Sequence, residues 1–395
     1  MKRAAAALAM AAAAALCSAA SLLPLAADQR AALLRHGPWP PPAAQDPGNP
    51  VAGSAAAIAL GQRLFFDTRL SPDRTLACAS CHLPSRAFAD GRPRAQGSET
   101  LARNTPTLWN AVHQRWQGWD GGADSLWGQS LRALLAANEM AASPQQVQAL
   151  VLQDAELRCR WQHSFSAVPA DAEAVLVQAA QAIGAFVGSF TSGRTAFDEF
   201  RDALARGDDR AAARYPLAAQ RGAQLFVGRG NCTLCHGGPL FTHGEFGDIG
   251  MPFFIAPGVV DPGRHAGIEA LRASRYNLLG PFSSAREAPA ALSTRHVEPQ
   301  HRNFGEFKVP GLRGVALTAP YTHAGALATL PDVIRHYSEL DLERLHADGE
   351  RILQPLRLSP GEAADLLAFL QSLSPAAAMR WQPRPDPQAR RCGPR

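Results

Sequence analysis

Two short strings carry most of the chemistry that this 395-residue chain can do: Cys78-Ala-Ser-Cys81-His82 and Cys232-Thr-Leu-Cys235-His236. Two thiols on one turn can add across the two vinyl groups of a haem. The adjoining imidazole is then held under the iron as its proximal ligand. Cys78, Cys81, Cys232 and Cys235 are therefore expected to bear two covalent haem c groups, with His82 and His236 as axial ligands. Zinc binding by Cys/His clusters is the competing reading. It is disfavoured because no further cysteine pair stands near either string; the other cysteines are Cys17, Cys159 and Cys392. A disulfide framework would not need a histidine directly after each second cysteine.

What sits on the other face of each iron decides function. Two filled axial sites make an electron carrier, whereas an open or weakly held site makes a catalyst. A carrier usually offers methionine, and beyond the amino-terminal stretch only Met140, Met251 and Met379 remain. Met251 follows His236 too closely to pass around a haem edge, and Met379 lies beyond the final expected helix. A dihaem electron carrier without peroxide chemistry is thus the alternative to an enzyme, with histidine filling the vacant position.

The elements that must position these groups are helical. Ile58, Gly61, Leu64 and Phe65 recur at helical spacing before the first string. Gly222-Ala-Gln-Leu225-Phe226 precedes the second string much as Gly61-Gln-Arg-Leu64-Phe65 precedes the first, which reads as two copies of one module. Residues 143–205 read as helices, opened by Ser143-Pro144, and 172–190 is apolar with a helical period. Ser359-Pro360-Gly361-Glu362 is a capping box with proline at the first helical position. Leu366, Leu367, Phe369, Leu370 and Leu373 then form an apolar face. Strand signals are scarce. The expected fold is mainly α, with two cytochrome c-like haem domains in tandem and long loops between helices. The first domain is expected over 55–207 and the second over 208–376, divided near the polar stretch 206–215. A proline-rich lead (28–54), expected to lie extended over the surface, precedes them, and a tail (377–395) follows.

Residues 1–27 combine two cations, an apolar stretch and small residues, the pattern of a secretory signal. A membrane anchor is the rival, disfavoured by the interruptions at Ser18, Ser21 and Pro24. Cys17 follows Leu16, a poor lipidation site. No later segment has ~18 uninterrupted apolar residues, so no span is expected after cleavage and the destination is the periplasm. In that compartment Cys159 and Cys392 could pair or stay free. Hydrophobic residues at 46% and charged residues at 18% exclude wholesale disorder. Without Lys2 and Arg3, 37 basic groups face 34 acidic ones, which supplies no nucleic-acid footprint.

Several separated motifs over roughly residues 55–375 resemble the bacterial dihaem cytochrome c peroxidases, including their protein-oxidising MauG branch. They are Arg103-Asn104-Thr-Pro106-Thr, Trp119-Asp120-Gly121, Gln129 with Glu139-Met140, the two haem strings, Phe307-Lys-Val-Pro310-Gly-Leu-Arg313 and Leu317-Thr318-Ala-Pro320-Tyr-Thr-His323. The resemblance implies a peroxidatic first haem and an electron-handling second haem. It places Glu139 and Gln129 on the peroxide side of the first. A carboxylate there can move a proton between the two oxygens of hydrogen peroxide, and an amide can orient the substrate. Trp119 matches the tryptophan between the haems, an oxidisable stepping stone; core packing is its other reading. The resemblance also implies calcium between the domains, held by the Asn104 side chain and the Thr318 and Pro320 carbonyls, with water completing the shell.

Two departures from the family pattern matter. Many such peroxidases carry a histidine in the loop after the first string that caps the iron until the other haem is reduced. Residues 83–103 contain no histidine, and Ser98 stands near the matching place. His113 is a conceivable substitute, better read as a core or surface histidine. Where the peroxidases place a methionine beyond the proline matching Pro310, this chain has Tyr337, as MauG-like enzymes do. A phenolate favours ferric over ferrous iron. Its neighbour His336 is the rival ligand, and helix packing on Val333 is the simpler alternative. The expected function is a periplasmic enzyme that reduces hydrogen peroxide at the first haem. Electrons are drawn through the second from a small cytochrome c, a cupredoxin or a protein whose own residues are oxidised.

Overall fold

The computed structural model describes residues 21–252, 254–345, 352–374, 376–383 and 385–392. Numbering helices of eight residues or more, the described chain runs α1 (Ala27–Leu34), α2 (Ala55–Phe65), α3 (Leu126–Leu135), α4 (Pro144–Gln153), α5 (Ala155–Phe165) and α6 (Ala172–Val187). It continues through α7 (Ala196–Arg206), α8 (Leu217–Val227), α9 (Arg264–Ala273), α10 (Leu330–Ser338) and α11 (Pro360–Ser372). Strands are few, as expected. Phe246–Gly247 pairs antiparallel with Phe307–Lys308, and Phe254–Ala256 pairs with Val259–Val260.

The start signals act as capping chemistry dictates. Ser143 accepts from the Gln146 N–H with Pro144 at the first position of α4. Ser359 and Glu362 satisfy each other's backbone donors at the start of α11.

Two hydrophobic clusters organise the helices. The first gathers α2, α3 and α6 with Val147, Val151, Leu157 and Trp161; the second gathers α7, α8 and α11 with Leu330 and Ile334. Each contains a close helix crossing made possible by a glycine. A Cβ on Gly61 of α2 would lie 1.9 Å from the Ala182 carbonyl oxygen of α6. A Cβ on Gly222 of α8 would lie 2.0 Å from the Asp365 carbonyl oxygen of α11. The repeated Gly-x-x-Leu-Phe string is therefore a repeated packing contact, with glycine letting two backbones touch. Gly222→Ala is expected to force α8 and α11 apart at a cost of about 1–3 kcal/mol. A thermal melt should register the loss, and an unchanged midpoint would refute the crossing.

The expected surface course of the proline-rich lead is wrong. Leu33 and His36 are fully buried, and Trp39 and Asp46 nearly so. Trp39 donates its indole N–H to the Ser192 carbonyl at 2.9 Å and lies 3.6 Å from the Arg313 guanidinium. Asp46 accepts from the Leu126 and Trp127 amides at 2.6 and 3.1 Å, satisfying orphan donors at the start of α3. Proline and glycine shape this lead, but its few large or charged side chains find partners far along the chain.

The first 20 residues of the expected signal lie outside the described residues. Residues 21–27 do not: Leu22 and Leu25 pack against the second cluster, and Gln220 donates to the Ser21 carbonyl. The polar stretch after Arg206 lies within the second cluster rather than between the two, because α7 buries Phe197, Phe200, Ala203 and Leu204 there. At the other end, Met379 joins the first cluster with Trp381 packed against it, and Cys159 and Cys392 form a disulfide that pins the tail to α5. Among the described residues, no helix is long and apolar enough to cross a membrane.

Candidate functional site: one cavity with two matched histidine pockets

The two strings fold alike. Cys78–Cys81 forms a single helical turn and Cys232–Leu234 a 3-10 turn. In both, the histidine amide closes the turn onto the first cysteine's carbonyl, at 2.9 Å for His82 and 2.8 Å for His236. None of the four cysteines is in a disulfide.

Each histidine then meets the same device. The His82 Nδ1 lies 3.0 Å from the Phe88 carbonyl oxygen, and the His236 Nδ1 lies 3.0 Å from that of Phe241. A carbonyl can only accept, so Nδ1 carries the proton and Nε2 presents its lone pair. Burial lowers both imidazoles, His236 to about 4, which keeps them neutral and fit to bind a metal. Phe88 and Phe241 both adopt left-handed backbone angles, φ 58° and 55°, costly for a bulky residue. Stacking offsets that cost: Phe88 lies on Phe190 and Phe241 on His36, both with ring centroids 4.4 Å apart. Sequence reasoning missed these two residues. The available signal was a phenylalanine shortly after each haem-type histidine.

The pair from α3 and its following loop lines the same cavity as the first string. Gln129 and Arg132 share one face of α3, and Arg132 Nη1 approaches Gln129 Oε1 at 3.4 Å. Arg132 also holds both oxygens of Asp120 at 3.1 Å. Glu139 is half-buried just beyond α3; burial raises the Cys78 and Cys81 thiols, and the Glu139 charge adds a smaller push in the same direction. Burial raises the Glu139 carboxyl above its ordinary value, opposed by Arg132 and reinforced by Asp120. The loop with Ser98 lies flat against this corner. Ser98 donates its amide to the Asn138 carbonyl at 3.1 Å, and a Cβ on Gly97 would sit 2.0 Å from that same oxygen. His113 does not line the cavity; it stands edge-on to Trp39.

A single cavity of about 1580 Å³ runs from the first string to the second. All the predicted site residues line it: the four cysteines, His82, His236, Gln129, Glu139, Trp119, Tyr337, Asn104, Thr318 and Pro320. The Trp119 indole N–H donates to the Asn104 carbonyl at 2.9 Å. Asn104 Nδ2 donates to the Arg92 carbonyl at 2.7 Å. On α10, Tyr337 is pushed well above the usual phenol range, first by burial and then by the facing Cys232 and Cys235 thiols. The rival His336 has its Nε2 2.7 Å from the Ile249 carbonyl oxygen.

Residues 55–206 match the family described as di-haem cytochrome c peroxidase. The chain is 33% identical over 347 residues to cytochrome-c peroxidase IdrP2 of Pseudomonas sp. (strain SCT), covering 86% of this chain and 87% of that protein. The chain belongs to the dihaem cytochrome c peroxidase family. It is also 32% identical over 325 residues to the methylamine utilization protein MauG of Methylorubrum extorquens, covering 81% of this chain and 79% of that one. A solved MauG-like protein associated with microbial copper homeostasis superposes with a TM-score of 0.65 at 28% identity, over 87% of this chain and 96% of the other. As a member of this family the chain is an oxidoreductase that uses hydrogen peroxide, which displaces the pure electron carrier, and its cofactors are two haem c groups.

The residues fit those cofactors. Two unbridged thiol pairs, two neutral imidazoles with Nε2 available, and a volume above the ~300–1,000 Å³ of a single-ligand pocket all converge on one cavity. Trp109 lines it too, and its buried indole N–H has no hydrogen-bond partner among the described residues, as a donor awaiting an absent acceptor would.

Proposed function

We propose that Cys78, Cys81 and His82 hold a peroxidatic haem, and Cys232, Cys235 and His236 an electron-accepting one, in two cytochrome c-like units. The first unit is built on α2, α3 and α6, the second on α7, α8 and α11. When bound, the haems supply the iron redox chemistry that splits the O–O bond and passes electrons. Glu139 takes a proton from one peroxide oxygen and returns it to the departing one. Gln129 orients the substrate, and Arg132 links Gln129 to Asp120. Trp119 bridges the two haem sites. The observation that carries this reading is that Gln129 and Glu139 line one cavity with both strings, whose histidines sit in matched pockets.

Tyr337 is the proposed second ligand at the electron-accepting site. The engagement of His336 with Ile249 supports it, since that imidazole already has a backbone partner. Asn104, Thr318 and Pro320 are the proposed calcium ligands; the Asn104 amide donates through nitrogen to Arg92, which leaves its oxygen for a cation. The reductant is a protein donor, and the Tyr337 pattern favours the MauG-like mode, in which the donor's own residues are oxidised. Export to the periplasm is part of this reading.

Mixing the resting ferric protein with hydrogen peroxide tests the open first site. An immediate change in the haem absorption, without added reductant, is expected. A protein that ignores peroxide until one haem is reduced would refute it. Tyr337→Phe should change the electron paramagnetic resonance signal of one ferric haem and leave the other; an unaltered pair of signals eliminates tyrosine ligation.

A further inference from the structure

Several strong cations line the cavity around Asp120. Arg103, Arg132, Arg264 and Lys308 all line it there. Asp120 and Asp261 are the carboxylates in ion-pair contact with this group, and Arg103 and Arg132 already occupy both, at 2.7 to 3.1 Å. Arg264 is only 3% exposed. Its guanidinium lies between the Trp116 and Phe246 rings, 4.4 and 4.0 Å from their centroids. Its Nη1 donates to the Asp120 and Gly121 carbonyls. Lys308 donates through Nζ to Gln114 Oε1 and to the Trp116 carbonyl. Among the described residues neither cation makes an ion pair; Glu245, Asp120 and Glu306 act on Arg264, and Asp120 on Lys308, only at longer range.

Composition makes Lys308 more unusual. The chain has two lysines, Lys2 and Lys308, so once the expected signal is removed every other strong cation is arginine. A lysine ammonium is a compact charge with three donors, two of which are used here. The Lys308 amide is bonded to the Trp119 carbonyl at 2.8 Å, which fixes this charge beside the proposed relay. Burial draws the ammonium down to about 8 and the Arg264 guanidinium to about 10. Buried charges without a contacting partner of opposite sign are costly, and an arriving carboxylate would offset that cost. Each haem brings two propionate carboxylates.

We infer that Lys308 holds a haem propionate at the junction between the two haems, with Arg264 holding a second. The inference rests on haem attachment at the two strings. Lys308 is then a positioning residue that ties the cofactor's edge to Trp119 and sets the potential of the haem whose propionate it neutralises.

The test uses the holoprotein with both haems attached. Replacing the ammonium in Lys308→Gln leaves a propionate uncompensated and favours ferric iron. At the wild-type midpoint potential, the ferric-to-ferrous ratio of one haem should rise about tenfold, a shift of about 59 mV for one electron. A variant that retains both haems and titrates like the wild type overturns the inference. The wild type gives a second reading, independent of whether the variant matures. With Lys308 as the lysine of the exported chain, isotopic labelling of lysine marks one side chain. Infrared difference spectra between oxidised and reduced protein should contain label-sensitive ammonium bands, and their absence overturns the inference. Mass mapping of the haem-bearing peptides separately reports whether attachment at Cys78, Cys81, Cys232 and Cys235 holds.

Discussion

Glu139→Gln should slow the reaction of the ferric protein with hydrogen peroxide by about 10²–10⁴-fold, the usual worth of a positioned acid–base group. The substitution keeps size and shape but removes the proton acceptor. In the parent the active form is the carboxylate, so the rate falls as pH drops through the Glu139 pKa. Because burial raises that pKa, the acid limb should lie above the ordinary carboxylate range. Arg132 opposes the shift, so Arg132→Gln should move the limb further upward, while Glu139→Gln should abolish it. Stopped-flow traces from pH 4 to 9 would decide the matter. A Glu139→Gln protein with parental rates would exclude Glu139 as the base.

Arg313→Met should destabilise the second unit by about 3–5 kcal/mol, the penalty for leaving one member of a buried ion pair without its partner. Arg313 and Asp198 are each 2% exposed, and their two hydrogen bonds measure 2.9 and 2.8 Å. Without the guanidinium, Asp198 keeps only local bonds from Thr195. Arg313 also donates to the Pro239 carbonyl at 2.6 Å, close to Phe241, so its loss should loosen the carbonyl that orients His236. Thermal unfolding and the resonance signal of the second haem should change together. Adding Asp198→Asn should recover part of the stability, since no buried charge is then stranded. A single variant as stable as the parent would refute the role of this pair.

The chemistry of the site was legible because covalent attachment and helix geometry are local. Cys-x-x-Cys-His needs only one turn. The recurrence of Gly61 with Phe65 and of Gly222 with Phe226 marks two helix crossings in which a side chain at the glycine would strike a neighbouring carbonyl. Gln129 and Glu139 were located through their resemblance to family motifs, and both line the cavity.

Distant pairings carried no such signature. Asp46 caps α3 across 80 positions, and His36 stacks on the phenylalanine whose carbonyl orients His236. Both come from a lead whose prolines suggested an exposed spacer. Proline content describes how a segment is shaped, not what covers it.

The amino-acid order by itself determined the haem-type strings, the helical frame and the residue types at the peroxide corner, because turn spacing, helix period and caps are short-range properties. Tertiary structure alone decided that both strings open into one cavity, that two strained phenylalanine carbonyls set the histidine tautomers, and that Arg264 and Lys308 lie beside Trp116 without an ion-pair partner among the described residues. Those features depend on contacts between segments far apart in the chain, where burial and dielectric, rather than local spacing, fix which groups must meet.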